Sequence, residues 1–174
     1  MIIASKNITR SISNLQKRNS LPTMDKINII TKSEKETKKL GYKLAKALPN
    51  GSVVCLLGDL GAGKTTLVRG VAEGLNIKEV VQSPTFNIMK IYLKGDRPLI
   101  HIDAYRLADI NTDIGLDEYI GYETGITMIE WPMYIENLLP KEAVYVELKH
   151  LGDDERSISI TCQNKGLLEV ISND

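Results

Sequence analysis

The sequence is poor in cysteine and histidine, the residues that form disulfides or bind structural metal ions in small proteins. Its 174 residues include two cysteines, Cys55 and Cys162, and two histidines, His101 and His150. The cysteines lie in separate apolar segments and no Cys/His cluster exists, which argues against a disulfide framework and a structural zinc site. Both cysteines are therefore expected to act as small buried hydrophobes.

The chain also lacks a long apolar run and an excess of either charge. No apolar stretch approaches the roughly 18 residues needed to cross a bilayer, and Lys plus Arg and Asp plus Glu both count 22. With no net charge, any contact with RNA is expected to come through partners or a local patch. With 43% hydrophobic residues, this length favours one well-packed domain. Cysteine usage predicts a soluble protein of the cytoplasm, without contact to a membrane.

The first 23 residues contain no acidic side chain and differ from the rest of the chain. They are rich in serine and carry the basic residues Lys6, Arg10, Lys17 and Arg18. We expect a basic N-terminal tail that is disordered, or not native if translation starts at Met24; a transit peptide has the same composition and is the alternative. Because the folded pattern begins at 26–30, residues 24–174 are predicted to form a single domain.

The segment 58–65 has the sequence of a phosphate-binding loop. It reads Gly-Asp-Leu-Gly-Ala-Gly-Lys-Thr and follows the apolar run 53–57, which is the strand–loop–helix context that such a loop requires. Glycines without a Cβ let backbone N–H groups converge on phosphate oxygens. Lys64 supplies a mobile cation, the Thr65 hydroxyl can ligate Mg²⁺, and the following helix directs its positive dipole end at the same anion. The motif predicts binding of a nucleoside triphosphate.

Strand and helix patterns alternate around this loop. Strands are expected at 26–30, 52–57, 86–93, 98–103, 125–130, 143–148 and 157–162. Hairpin turns are expected at 94–97 and near 164–166. Helices are expected from the capping box at Ser33 to about residue 49, from Thr65 to about residue 74, and at 133–138, while the polar segment 107–122 permits a helix. The alternation predicts an α/β protein of the P-loop NTPase fold, with a mixed, mainly parallel sheet flanked by helices.

Two of the apolar strands end in a carboxylate. Asp103 closes 99–103, and Glu130 closes 126–130. The carboxyl ends of parallel strands form the edge where ligands bind, and Mg²⁺ and an attacking water each need an oxygen ligand or acceptor. From the pattern alone, either carboxylate can serve Mg²⁺ or simply be an exposed strand end. Thr85 stands where many such NTPases have a mobile segment that senses the γ-phosphate, although an ordinary Ser-Pro turn is the alternative.

Four motifs occur in one order along the chain. They are 58–66 (Gly-Asp-Leu-Gly-Ala-Gly-Lys-Thr-Thr), 83–86 (Ser-Pro-Thr-Phe), 101–107 (His-Ile-Asp-Ala-Tyr-Arg-Leu) and 129–132 (Ile-Glu-Trp-Pro). In order and spacing they resemble the TsaE (YjeE) family over about 27–148. The resemblance implies a small bacterial ATPase with a P-loop fold that takes part in forming N6-threonylcarbamoyladenosine at adenosine 37 of tRNA. It further implies action with the TsaB and TsaD proteins, the second of which transfers the threonylcarbamoyl group, and contact with tRNA through that complex.

The resemblance also implies roles for individual residues. Thr65 and Glu130 would hold Mg²⁺, and Asp103 would stand at the γ-phosphate and orient water, so that Asp103, Lys64 and Glu130 form the catalytic set. Glu34 matches the position where the family lines the nucleotide, and Thr85 matches the threonine of the family's mobile segment. The phosphates of ATP would be wrapped by Gly61, Ala62, Gly63, Lys64, Thr65 and Thr66.

Three other functions are compatible with a phosphate-binding loop. A small-molecule kinase usually needs a lid rich in arginine, and 107–122 contains no Arg or Lys. A GTP-binding switch uses an Asn-Lys-x-Asp element, whereas Asn164 and Lys165 are followed by Gly166 and Leu167. A binding module in which nucleotide only orders a docking surface, without essential hydrolysis, stays open.

Arg106 is the candidate for an arginine that reaches the γ-phosphate. Its alternative role is an ion pair with one of the nearby acids, Asp103, Asp109 or Asp113. Without an arginine at the γ-phosphate, intrinsic hydrolysis is expected to be slow and complex formation to complete the site.

Overall fold

The computed structural model describes residues 24–108 and 114–173, and its centre is one seven-stranded sheet. The predicted tail at 1–23 lies outside the described residues. The strands are β1 (Asp25–Thr31), β2 (Ser52–Leu57), β3 (Met89–Tyr92), β4 (Leu99–Asp103), β5 (Ile126–Glu130), β6 (Val144–Gly152) and β7 (Glu155–Cys162). They lie in the order β1-β7-β6-β2-β5-β4-β3.

The sheet is mixed, with a parallel centre. β6, β2, β5 and β4 pair in parallel with one another, while β7, β1 and β3 add antiparallel pairs at the two sides. Every residue of β4 and β5 is buried, as parallel strands covered on both faces require. That burial explains why these strands appear in the sequence as continuous apolar runs, and the sheet confirms the predicted fold class.

Two layers cover the sheet. One face carries three α-helices, α1 (Glu34–Ala47), α2 (Lys64–Gly74) and α3 (Lys165–Ser172). The other face is covered by short 3-10 helices at Ala104–Leu107, Leu116–Glu118 and Pro132–Leu138 and by the chain around them. In β2, Val54 and Leu56 join the helical layer, whereas Val53 and Cys55 join the other, because successive side chains of a strand point to opposite faces.

The first two helices pack with their backbones in contact. A Cβ built on Gly70 would lie 2.1 Å from the Lys38 carbonyl oxygen, and one built on Gly41 would lie 2.3 Å from the Leu67 carbonyl oxygen. Glycine is therefore required at both positions. At the start of α1, the Ser33 side chain accepts from Glu36 N, as the predicted capping box demands.

The chain after Cys162 corrects one prediction. The hairpin expected near 164–166 is wrong, because Asn164 Oδ1 accepts from Leu167 N at 3.1 Å and begins α3. Asparagine favours both turns and helix N-caps. The apolar spacing of Leu167, Leu168 and Ile171, all buried, decides for the helix.

Other predicted elements differ from expectation in length or in type. β3 is shorter than the predicted strand 86–93, since Asn87 N donates to Pro84 O at 2.9 Å and Ile88 adopts a φ of +63°. The short helix expected at 133–138 is a 3-10 helix that Pro132 begins. The polar segment 107–122 contributes 3-10 turns in its described part, and 109–113 lie outside the described residues. Among the described helices, none has the length and apolar character to cross a bilayer.

Candidate nucleotide site

The phosphate-binding loop joins the carboxyl end of β2 to the first turn of α2. Its glycines Gly58, Gly61 and Gly63 have φ of +146°, +78° and +104°, values that residues with a Cβ rarely adopt. Gly58 is also restricted by space, because a Cβ there would lie 2.5 Å from the Leu148 carbonyl oxygen. The loop thus packs directly against the middle of β6.

Lys64 places a buried ammonium in this loop. Its Nζ donates to the carbonyl oxygens of Gly58 at 2.8 Å and Asp59 at 2.9 Å, and lies 4.8 Å from the centroid of the Trp131 ring. Burial lowers the pKa of Lys64, and the negative charges of Glu130, Asp103 and Asp59 oppose this shift. A bound phosphate would add a further negative charge beside an ammonium that has lost much of its hydration.

Glu130 lies next to the hydroxyl that follows Lys64. Thr65 Oγ1 donates to Glu130 Oε1 at 3.3 Å, and His101 Nε2 lies 2.9 Å from the same oxygen. Glu130 reaches this place because it ends β5 beside β2, which leads into the loop. The two residues that the resemblance implies as Mg²⁺ ligands therefore lie next to each other, and their binding of Mg²⁺ stays a prediction.

Asp103 ends β4 in register with Glu130 on the neighbouring parallel strand. Its Oδ2 accepts from Thr85 Oγ1 at 2.6 Å and from Ser83 Oγ at 3.4 Å, and its Oδ1 accepts from Tyr105 N at 3.0 Å. Thr85 therefore contacts the carboxylate directly, which links the segment 83–86 to the sheet edge.

A cavity of about 620 Å³ opens at this edge of the sheet. Every predicted site residue lines it except Ala62 and Glu34. Ala62 is buried within the loop. Glu34 lies in the first turn of α1, where its carboxylate stands 3.5 Å from Lys38 Nζ and 3.9 Å from an Arg69 guanidinium nitrogen. A contact of Glu34 with nucleotide stays a prediction.

The donor set suits Mg²⁺ bound together with phosphates. Within 24–108 and 114–173, no group of three or more His, Cys, Asp or Glu side chains could hold a metal ion alone. Mg²⁺ is usually held by one or two protein oxygens together with water and substrate phosphates. Thr65 and Glu130, both lining the cavity, provide such a pair.

Sequence reasoning missed two residues that support this site. Arg156, in β7, donates from Nε to the Ala62 carbonyl oxygen at 3.1 Å and so holds the phosphate-binding loop. No motif in the sequence around Arg156 indicates this contact. His101 stands two residues before Asp103 on the same strand. Its place in the 101–107 motif was a usable signal, since alternate residues of a strand share a face.

Arg106 contacts the segment that carries Thr85. A guanidinium nitrogen of Arg106 donates to the Phe86 carbonyl oxygen at 2.9 Å. Two acids considered as its ion-pair partners, Asp109 and Asp113, lie outside the described residues. Arg106 is not among the residues that line the cavity, and a role at the γ-phosphate stays a prediction.

Comparisons with known proteins identify one family that this chain resembles. The family model for the threonylcarbamoyl adenosine biosynthesis protein TsaE matches residues 31–158. A tRNA threonylcarbamoyladenosine biosynthesis protein TsaE from Bacillus subtilis (strain 168) is 47% identical over 131 residues, covering 75% of this chain and 82% of the relative. The protein of the same name from Treponema pallidum (strain Nichols) is 40% identical over 133 residues, covering 75% of this chain and 97% of that relative. The crystal structure of Bacillus subtilis YdiB superposes with a TM-score of 0.73 at 37% identity, covering 86% of this chain and 96% of that one.

Proposed function

The chain belongs to the TsaE family of threonylcarbamoyl adenosine biosynthesis proteins, and from this we propose that it is a Mg²⁺-dependent ATPase required for forming N6-threonylcarbamoyladenosine at position 37 of tRNA. The single observation that supports this most is the convergence of Lys64, Thr65, Asp103 and Glu130 on one cavity. Binding and hydrolysis of ATP need all four groups: a cation, two Mg²⁺ ligands and an acceptor for water.

Hydrolysis in this site would depend on positioning and on charge. Lys64 and the N–H groups of the loop would bind the β and γ phosphates, and the N-terminus of α2 would add its positive dipole end. Mg²⁺ held by Thr65 and Glu130 would neutralise part of the charge on the phosphate oxygens. Asp103 would accept a hydrogen bond from the attacking water and orient it toward the γ-phosphate.

Thr85 is suited to control Asp103. Both the attacking water and Thr85 Oγ1, now 2.6 Å from Oδ2, would donate to this carboxylate. The segment 83–86 would thus connect the Asp103 carboxylate to the protein surface, where Phe86 is 87% exposed. A partner that binds the segment 83–86 would then change the orientation of Asp103.

The partners proposed for this activity are the TsaB and TsaD proteins. Support comes from the names of the relatives, which place them in threonylcarbamoyladenosine biosynthesis on tRNA. The balanced charge of the chain, with 22 basic and 22 acidic residues, supports an indirect contact with tRNA through the complex. This reaction on tRNA would place the protein in the cytoplasm.

Reconstituted tRNA modification tests the proposal. TsaB, TsaD, threonylcarbamoyl donor and tRNA would be combined with and without this protein, using ATP or a non-hydrolysable analogue. We expect modification over repeated cycles to require both the protein and ATP. Glu130→Ala should abolish Mg²⁺-dependent hydrolysis and stop the cycle, whereas Glu169→Ala, an exposed carboxylate on α3, should behave as the wild type.

Two outcomes would contradict the proposal in different ways. If modification continues at the wild-type rate without this protein, the assignment to the pathway fails. If Glu130→Ala loses hydrolysis but modification survives, nucleotide serves only to order a docking surface, and the binding-module function holds instead.

A further inference from the structure

His101 is a completely buried histidine in the middle of β4. It is 0% exposed, and its strand neighbours Ile100 and Ile102 belong to the apolar core. A β-branched apolar side chain would suit such a position better, because burial of a polar ring costs free energy unless its nitrogens are hydrogen-bonded. A specific contact must therefore offset the cost of burying this ring.

In the described part of the protein, the ring of His101 forms a hydrogen bond with one side chain, that of Glu130. His101 Nε2 is 2.9 Å from Glu130 Oε1, and the two side chains are 0% and 5% exposed. His101 Nδ1 is buried without a hydrogen-bond partner among the described residues. A neutral ring with its single proton on Nε2 fits both facts, since the carboxylate is an acceptor and an unpaired N–H is avoided.

The hydrogen bonds of Glu130 are unevenly shared between its two oxygens. Within the described residues, the donors Thr65 Oγ1 and His101 Nε2 both approach Oε1. That leaves Oε2 without a hydrogen-bond donor from the described part of the protein. A carboxylate fixed through one oxygen has lost most of its freedom to rotate before a cation arrives, which is the arrangement that raises metal affinity.

We propose that His101 is a positioning residue for the cation of this site: through Nε2–H it fixes Oε1 of Glu130 and so presents the carboxylate to Mg²⁺. The inference rests on the proposed function, because it requires that Glu130 hold the ion. His101 contacts neither nucleotide nor cation and acts through Glu130. It therefore governs the affinity for Mg²⁺, while binding of the nucleotide itself depends on the loop.

The experiment separates these two affinities. ADP binding to the full chain would be measured by calorimetry in EDTA and during a Mg²⁺ titration, for the wild type, His101→Leu, His101→Gln and His101→Asn. Gln can place an amide N–H near the position of Nε2, whereas Asn is equally polar but too short. His150→Leu is the matched control, since His150 is the other histidine and is exposed.

We expect His101→Leu and His101→Asn to raise the Mg²⁺ concentration at half-saturation by about 10- to 100-fold. His101→Gln should recover most of this loss, and His150→Leu should equal the wild type. In EDTA, all variants should bind ADP with the affinity of the wild type. If His101 served only in folding, its variants would bind ADP more weakly in EDTA and would also need more Mg²⁺ for half-saturation.

Three results would overturn the inference. The first is that His101→Leu reaches half-saturation at the same Mg²⁺ concentration as the wild type. The second is that His101→Leu binds ADP more weakly than the wild type in EDTA as well. If His101→Leu does not fold, the third is that His101→Gln and His101→Asn reach half-saturation at the same Mg²⁺ concentration. Failure of the proposed function appears separately, as a wild-type protein that binds ADP or ATP without any response to Mg²⁺.

Discussion

At the scale of single residues, the buried charged side chains and the buried histidine of the described residues gather at one edge of the sheet. Lys64, His101, Asp103 and Glu130 are all nearly inaccessible to solvent, and each is held by hydrogen bonds at the end of β2, β4 or β5. Away from this edge, burial makes side chains inert: it raises the pKa of the Cys55 thiol well above its ordinary value. The contrast supports the sheet edge as the place of the proposed chemistry.

Arg156 should tune nucleotide affinity without touching the nucleotide. Its Nε–H holds the Ala62 carbonyl oxygen at 3.1 Å, and its side chain is partly exposed. Loss of such a hydrogen bond costs about 1 kcal/mol or slightly more, and a loop that is less often in its binding conformation lowers affinity in proportion. We expect Arg156→Ala to raise the Kd for ADP about five- to tenfold in calorimetry.

Arg97 provides the matched control for this change. It also holds main-chain carbonyl oxygens, those of Ala45 at 2.6 Å and Leu48 at 2.9 Å, but it precedes β4 at the end opposite Asp103. Arg97→Ala should lower the melting temperature and leave the Kd for ADP unchanged. Equal ADP affinity in Arg156→Ala and wild type would show that the loop keeps its shape without this contact.

At the scale of helices and strands, the close contact of α1 with α2 fixes where the phosphate-binding loop stands. α2 begins at Lys64, so any displacement of this helix moves the loop. The contact depends on Gly70, where a Cβ would meet the Lys38 carbonyl oxygen at 2.1 Å. Because that oxygen belongs to the backbone, a side chain at this position cannot be accommodated by a rotamer change.

Gly70→Ala should therefore destabilise the fold strongly. Overpacking of this kind typically costs about 1–3 kcal/mol, and the backbone partner places Gly70 at or above the upper end. Gly166→Ala is the control: it lies in α3, where a Cβ would meet nothing closer than Asn164 Oδ1 at 3.4 Å, and should stabilise by about 0.5 kcal/mol. Urea unfolding followed by circular dichroism measures both. Equal stability of the two variants would contradict the packing argument.

The same elements show what the sequence could predict and what it could not. The P-loop, the apolar strands ending in Asp103 and Glu130 and the helix capped by Ser33 were predictable, because each depends on neighbours along the chain. The turn interpretation of Asn164 failed because asparagine favours both turns and helix N-caps, and the helical spacing of the buried Leu167 and Ile171 decides between them. Arg156 was not predictable, since its partner Ala62 lies 94 residues away.

At the scale of the whole molecule, two large apolar side chains in or next to segments of the site are exposed. Leu60, which lines the cavity, is 93% exposed, and Phe86, beside Thr85, is 87% exposed. Exposed apolar side chains grouped at a functional site are typical of interaction surfaces. The residues that line the cavity in the described part of the chain include no arginine. Both features support the proposal that partner proteins complete the catalytic site.

ATP turnover by the protein alone should therefore be slow and should rise when TsaB and TsaD are added. In NTPases of this type, a missing arginine at the γ-phosphate leaves the charge of the transition state partly unbalanced, and its supply by a partner raises kcat by about 10³- to 10⁵-fold. Phosphate release would be measured for the protein alone, for the partners alone and for the mixture, with Asp103→Asn as the variant that removes the proposed water acceptor. We expect the mixture to exceed the sum of its parts and Asp103→Asn to abolish the excess. A fast rate without partners, unchanged in the mixture, would show that the isolated chain already contains every group that hydrolysis needs.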